Sequence, residues 1–269
     1  MEWFESVILG LIQGLTEFLP VSSSGHLEIG KELLGIETTD DLMFTTMVHA
    51  ATVLSTIVVF RKQIVSLLKG FFKFQYNDET DYLFKMAVSI IPVMIVGLFF
   101  KDQVEALFGS IKVVGFALIL TSALLFFSDL ASKPGKALVS KVSEARNGIS
   151  YWQAFVVGLG QALAVIPGLS RSGTTISTGL ICGVRRDVMA QFSFLMVLIP
   201  ILGESFLEIV GGEFSSSSVG ALPLALGFVS AFVSGLFACK VMIALVKKAK
   251  LSWFAIYCLI AAASIFIFA

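Results

Sequence analysis

The sequence predicts an all-α polytopic membrane protein. The expected architecture is six transmembrane helices plus two re-entrant helical hairpins, arranged as an inverted-topology repeat. Three observations carry this. Of 269 residues, 57% are hydrophobic and 14% charged, with a mean hydropathy of +0.92, whereas a soluble domain is about 25% charged. Six stretches are apolar enough to cross a hydrocarbon core, which takes about 20 residues of helix. The third observation is internal. Residues 13–27, QGLTEFLPVSSSGHL, match residues 161–175, QALAVIPGLSRSGTT, at an offset of 148 positions.

The six expected spans cover 42–60, 83–100, 111–128, 190–210, 221–245 and 251–269. Two further apolar segments are not simple spans. Residues 4–19 break at Pro20 and the serine run, and residues 152–166 break at Pro167-Gly168. Each continues into another short apolar stretch and is read as a re-entrant hairpin. Irregular backbone at membrane depth survives only inside protein or against a polar cavity. The whole chain, 1–269, reads as a single membrane domain with repeat halves of about 1–130 and 149–269. The start MEWFE lacks a basic segment, so no cleavable signal peptide is expected. Cys182, Cys239 and Cys258 lie in or beside apolar segments without CxxC spacing and read as buried small hydrophobes.

Basic residues set the orientation. Arg61, Lys62, Lys69, Lys73, Lys85, Lys133, Lys136, Lys141, Arg146, Arg185, Arg186, Lys240, Lys247, Lys248 and Lys250 fall on one side, assigned as cytoplasmic. Only Lys31, Lys101 and Lys112 fall opposite. This requires each hairpin to return to the side it entered from, and leaves both termini outside. A hairpin followed by an odd number of spans turns the second half upside down. The two tips can then meet near the midplane, where such folds commonly build their sites. The zero formal net charge says nothing about nucleic acid, and no basic run suggests it, so none is expected as a partner.

The first tip offers Gln13, Glu17, Ser22, Ser23, Ser24 and His26; the second offers Ser170, Arg171, Ser172, Gly173, Thr174 and Thr175. Gln13 and Glu17 stand four apart and share a helix face. Ionisable groups inside a membrane default to a functional reading. Arg171 can grip phosphate oxygens with its fork of N–H donors. Ser22, Ser23, Ser170, Ser172, Thr174, Thr175 and backbone N–H groups near Gly173 can supply further donors, joined by a helix N-terminus if one begins after Gly173. Glu17 and His26 add acid/base or nucleophilic capacity. Structural readings stand beside these. A serine break also caps or kinks a helix. Arg171 also serves as an ion-pair partner for Glu17, and His49 reads as a packed, hydrogen-bonded histidine. Arg185 and Arg186 read as surface anchors, the role of Glu204 stays open, and Ser215–Ser218 reads as a solvated loop. For a metal, Glu17 is the lone carboxylate at the tips, with Gln13 beside it, so an ion bridged by substrate phosphates is favoured over a protein cage.

QGLTEFLPVSSSGH and PGLSRSGTT resemble the two signature motifs of the undecaprenyl-diphosphate phosphatase family, also called bacitracin-resistance proteins, and RRDVMAQFSFL at 185–195 is similar too. The resemblance covers essentially the whole chain. It implies a bacterial inner-membrane enzyme that removes the terminal phosphate of a C55 isoprenyl diphosphate, with its site on the outer, periplasmic side. It also implies dependence on a divalent cation, Mg²⁺ or Ca²⁺. The functional positions it implies are Glu17, Ser23, His26, Ser170, Arg171 and Thr175, with Gln13 replacing the family's first acid. His26 is taken as nucleophile or acid/base group, with Glu17 orienting it or holding the ion; a serine nucleophile and water activated by Glu17 stay open. The expected partners are the lipid diphosphate and the bilayer, and a homodimer is left open. The alternative from another class is an inverted-repeat transporter or flippase of a lipid phosphate or other anion, with Arg171 binding rather than catalysing.

Overall fold

The computed structural model describes residues 1–36, 42–107, 110–131, 145–203, 219–248 and 250–268. Among them the chain is helical throughout and has no strand. In order the helices are α1 (Trp3–Thr16), α2 (Ser23–Leu34), α3 (Leu42–Val59), α4 (Arg61–Phe71), α5 (Asp78–Phe99), α6 (Lys101–Glu105) and α7 (Ile111–Ala131). After a 3₁₀ turn at Arg146–Gly148 come α8 (Tyr151–Leu163), α9 (Arg171–Ile181), α10 (Arg186–Met196), α11 (Ala221–Lys248) and α12 (Ser252–Phe268). Past a turn at Val197, helix resumes over 198–203.

Four described helices are long and apolar enough to cross a bilayer: Asp78–Phe99, Ile111–Ala131, Arg186–Gly203 and Ala221–Lys247. The chain is thus a multi-pass membrane protein. The stretch expected as one span at 42–60 turns by 75° at its end and continues as α4, while Trp3–Thr16 and Ser252–Ile267 are apolar but shorter. The span expected at 83–100 starts earlier, at Asp78. Hydropathy misses that first turn because Asp78, Glu79 and Asp81 are polar, yet they favour a helix N-terminus, and Asn77 caps it by accepting from the Thr80 N–H at 2.8 Å. Lys85, expected among surface cations, is 2% exposed inside α5 and donates to Asp81 at 2.5 Å and to the Arg146 carbonyl at 2.7 Å. Lys133, Lys136, Lys141, Glu204, Glu208 and Ser215–Ser218 lie outside the described residues.

Both apolar segments that the sequence marked as broken are helix–turn–helix pairs. α1 stops before Pro20 and α8 before Pro167, since a proline disfavours helical backbone in the residue ahead of it. The 148-residue offset extends into the caps. Glu5 accepts from the Glu2 N–H at 2.6 Å where α1 begins, and Gln153 from the Ser150 N–H at 2.8 Å where α8 begins. At the second helix of each pair, Ser22 Oγ accepts from the Gly25 N–H and Ser170 Oγ from the Gly173 N–H, each at 3.1 Å. These are N-caps, which satisfy donors a helix start leaves open.

The halves interlock. α1 packs on α11 of the second half, α8 packs on α5 of the first, and α7 pairs with α12. Glycine permits the close approaches: a Cβ on Gly10 would collide with the Gly227 carbonyl, and one on Gly158 with the Ser89 carbonyl. Serine hydroxyls bridge helices in the manner of membrane bundles. Ser230 donates to the Val7 carbonyl, Ser55 to that of Phe232 and Ser122 to that of Ala255, each at 2.8 Å.

Candidate active site

The two hairpin tips meet. Ser24 Oγ accepts from the Gly168 N–H at 3.4 Å, and Ser172 Oγ donates to the Leu19 carbonyl at 3.0 Å. Ser24 and Ser172 are equivalent under the 148-residue offset, so each tip reaches the other through the same serine. Gly168 has φ +87°, and a Cβ there would strike the Val114 backbone, so the second tip turns where no other residue fits. The first tip is strained instead. Ser22 has φ 72° and ψ 101°, a region that costs a non-glycine residue about 1–3 kcal/mol. Its equivalent Ser170 has φ −68°.

Glu17 is the hub. It is 9% exposed. Gln13 Nε2 donates to its Oε2 at 2.9 Å, confirming that the two share a face of α1. Ser23 Oγ donates to the same oxygen at 2.6 Å. Arg171 of the second hairpin forms an ion pair with Oε1. His49 Nε2, from α3, stands 3.9 Å from Oε2. The carboxylate thus collects groups from both hairpins and one span, the arrangement that makes a buried charge tolerable. The expectation that a helix begins after Gly173 is corrected: α9 begins at Arg171, capped by Ser170, so the guanidinium projects from the first helical residue.

A cavity of about 20 Å³ adjoins this pair, lined by Glu17, Phe18, Thr52, Thr56, Arg171, Ser172, Ser193 and Phe194 among others. That volume holds roughly one water. Of the remaining expected residues, Ser22 and Ser170 accept the cap N–H through Oγ and keep their O–H to donate. Thr175 Oγ1 donates to the Arg171 carbonyl at 2.8 Å and lies 2.7 Å from Ser193 Oγ. Thr174 is 2% exposed, and its hydroxyl has no hydrogen-bond partner. Arg185 pairs with Asp187 at the surface, while Arg186 reaches Asp129 at 2.6 Å.

His26 is not drawn into the hub. Its Nδ1 is 2.7 Å from the Ser22 carbonyl, which only accepts, so Nδ1 carries the proton and Nε2 the lone pair of the neutral ring. Nε2 accepts from the Tyr257 hydroxyl at 2.7 Å, and the two rings stack at 5.5 Å. His49, read as a packed residue, does have the expected hydrogen bond, Nδ1 to the Thr45 carbonyl at 2.9 Å, and its other nitrogen turns toward Glu17. The sequence held a signal for it. Thr45, His49, Thr52 and Thr56 recur at i, i+4, i+7 and i+11, a polar stripe on one face of an apolar helix. Tyr257 and Ser193 left no comparable pattern.

Two oxygens speak to a cation. Gln13 Oε1 is buried without a hydrogen-bond partner, next to the Glu17 carboxylate. A carbonyl and a carboxylate oxygen suit a hard divalent ion. No group of three or more His, Cys, Asp or Glu is assembled for a metal among the described residues.

Comparison with known proteins places this geometry. A family model described as bacitracin resistance protein BacA matches residues 6–264. The undecaprenyl-diphosphatase of Parabacteroides distasonis is 56% identical over 265 residues, covering 97% of this chain and 96% of the relative. That of Bacteroides fragilis is 54% identical over 264 residues, with the same coverage. The undecaprenyl-diphosphatase of Halothermothrix orenii is 38% identical over 270 residues, covering 100% of this chain and 99% of its own. The chain belongs to the bacitracin resistance protein BacA family.

Proposed function

We propose that this protein hydrolyses undecaprenyl diphosphate to undecaprenyl phosphate and inorganic phosphate, at the Glu17–Arg171 pair where the two hairpins meet. The observation that carries the reading is that pair itself: a buried acid from one hairpin and a half-buried guanidinium from the other, set among hydroxyls. The undecaprenyl-diphosphatases similar over the full chain support the substrate. The finer architecture is part of the same proposal. Six spans and two re-entrant hairpins form an inverted repeat in the bacterial inner membrane, with the site open to the periplasmic side. The equivalent caps and the exchanged packing of α1 and α8 support it.

The cavity is too small for a diphosphate, so the substrate takes Arg171 away from Glu17. A phosphate dianion outbids one carboxylate for a guanidinium fork. Arg171 then holds the oxygens on which charge is spread during transfer. Its release leaves Glu17 as a free base with a hydroxyl already in place, Ser23 Oγ at 2.6 Å. Of the candidate nucleophiles, Ser23 is thus the one the geometry favours. Its oxygen bonds to the terminal phosphorus, the bridging P–O bond breaks, and Glu17 takes the serine proton. The leaving lipid phosphate, with a second pKa of about 6, needs no strong acid. Water then cleaves the phosphoserine. His26 stands three residues beyond Ser23 on α2, and once the Tyr257 hydroxyl turns away from Nε2, the lone pair there is the base for that water. Gln13 and Glu17 would hold a divalent cation, Mg²⁺ or Ca²⁺, which would draw charge off the terminal phosphate.

Rapid denaturing quench at neutral to alkaline pH of a single turnover with ³²P-labelled substrate tests this, since acid would hydrolyse a phosphohistidine. Label on Ser23 is the expected result. Label on His26 would overturn the assignment of nucleophile, and no label, with solvent ¹⁸O entering the phosphate in a single turnover, would establish direct attack by water.

A further inference from the structure

α4 plays no part in the site, yet it is built with three distinct faces. Gly70 is buried against the Glu79 side chain of α5, and Ile64 and Leu67 pack on the core. A second row, Val65, Leu68 and Phe72, is apolar and exposed. A third row is basic: Lys62 and Lys69, followed in the turn by Lys73, recur at i, i+7 and i+11, within about 40° of one another around the helix. All three lysines are exposed, and residues 61–77 contain no Asp or Glu. Phe60, 3% exposed, fixes the corner at which α4 leaves α3 by 75°. Where the stretch expected as a span at 42–60 crosses the bilayer along α3, the 75° turn sets α4 close to the plane of its surface.

We propose that α4 is an interfacial helix that binds anionic phospholipid, its exposed apolar row inserted beneath the headgroups and its lysine row held against their phosphates. An apolar row flanked by lysines is the pattern by which helices lie in the membrane interface. Apolar exposure alone would suit any lipid. Three lysines in one row, with Glu79 of α5 beside them at Ser66, leave the row a net positive charge that selects an acidic leaflet, where each lysine contributes a several-fold gain in binding. The inference does not depend on the chemistry proposed for Glu17 and Arg171.

The test uses the full chain in vesicles. Phe72→Trp places a fluorophore in the apolar row, and its emission is read as the difference from the parent protein. Vesicles hold equal mole fractions of phosphatidylcholine and phosphatidylglycerol, with one or the other brominated. Brominated phosphatidylglycerol is expected to quench the added tryptophan about threefold more than brominated phosphatidylcholine. In Phe72→Trp combined with Lys62→Gln, Lys69→Gln and Lys73→Gln, the ratio falls to about one while quenching by phosphatidylcholine persists, which shows the helix still seated. Equal quenching by both lipids before the lysines are changed, an undiminished ratio afterwards, or no quenching by either lipid would overturn the proposal.

Discussion

Arg171→Ala separates what the buried pair does for the fold from what it does for the reaction. Glu17 keeps Gln13 and Ser23 as donors when the guanidinium goes, at 2.9 and 2.6 Å, but no cation in contact offsets its charge. The Glu17 side chain is 5% exposed and that of Arg171 27%. Removing one partner of a buried pair costs 3–5 kcal/mol. The partial exposure of Arg171 and the two remaining donors put this case at the low end, about 3 kcal/mol. Adding Glu17→Gln neutralises the stranded charge and is expected to restore most of the loss. Turnover follows a different rule. Loss of a donor that holds developing charge lowers kcat by about 10²–10³, so kcat/KM falls by about that factor in the single variant, and the double variant, which also lacks the Glu17 base, does not recover it. Thermal unfolding in detergent and phosphate release from purified protein read the two effects. If adding Glu17→Gln does not restore stability, Arg171 does not neutralise Glu17. If Arg171→Ala retains near-normal kcat/KM, the anion site is elsewhere.

Further outcomes follow from single features. Ser170→Ala removes the cap of the helix that begins with Arg171, costing about 1 kcal/mol; kcat/KM falls with it, and Ser170→Thr recovers both, whereas equal loss in the two variants would show that capping is not the role. Gly10→Leu forces a side chain into the Gly227 carbonyl and lowers the unfolding midpoint by an overpacking cost of about 1–3 kcal/mol; an unchanged midpoint would mean that α1 and α11 do not pack this closely. Gln13→Glu adds a second carboxylate beside Glu17 and is expected to lower the half-saturating Mg²⁺ concentration about tenfold. No change in that concentration would place the cation away from Gln13.

The broken segments were the most legible part of the chain, because proline and a serine run interrupt apolar sequence in two matching places. From that match came the pairing of Gln13 with Glu17 and the meeting of Glu17 with Arg171. Helix limits were less legible where polarity serves a cap, as at Asp78, and where an apolar stretch turns a corner, as at Phe60. Hydropathy records neither caps nor bends. Ser22 and Ser170 cap the second helix of each hairpin, one of the two roles that composition alone does not separate. His26 shows a further limit, because the tip that carries it was clear and the direction of its ring was not. That direction depends on Tyr257, 231 residues away. His49 belonged to a visible polar stripe, but only the packing of α3 against α1 gave that stripe an orientation.

The most direct test of the account is phosphate release from undecaprenyl diphosphate by the purified chain in detergent, where no second compartment exists. The account predicts many turnovers per protein, dependent on divalent cation and abolished by Arg171→Ala. Absence of phosphate release, with exchange of lipid phosphate across liposomes that contain the same protein, would contradict it and assign the paired hairpins to transport.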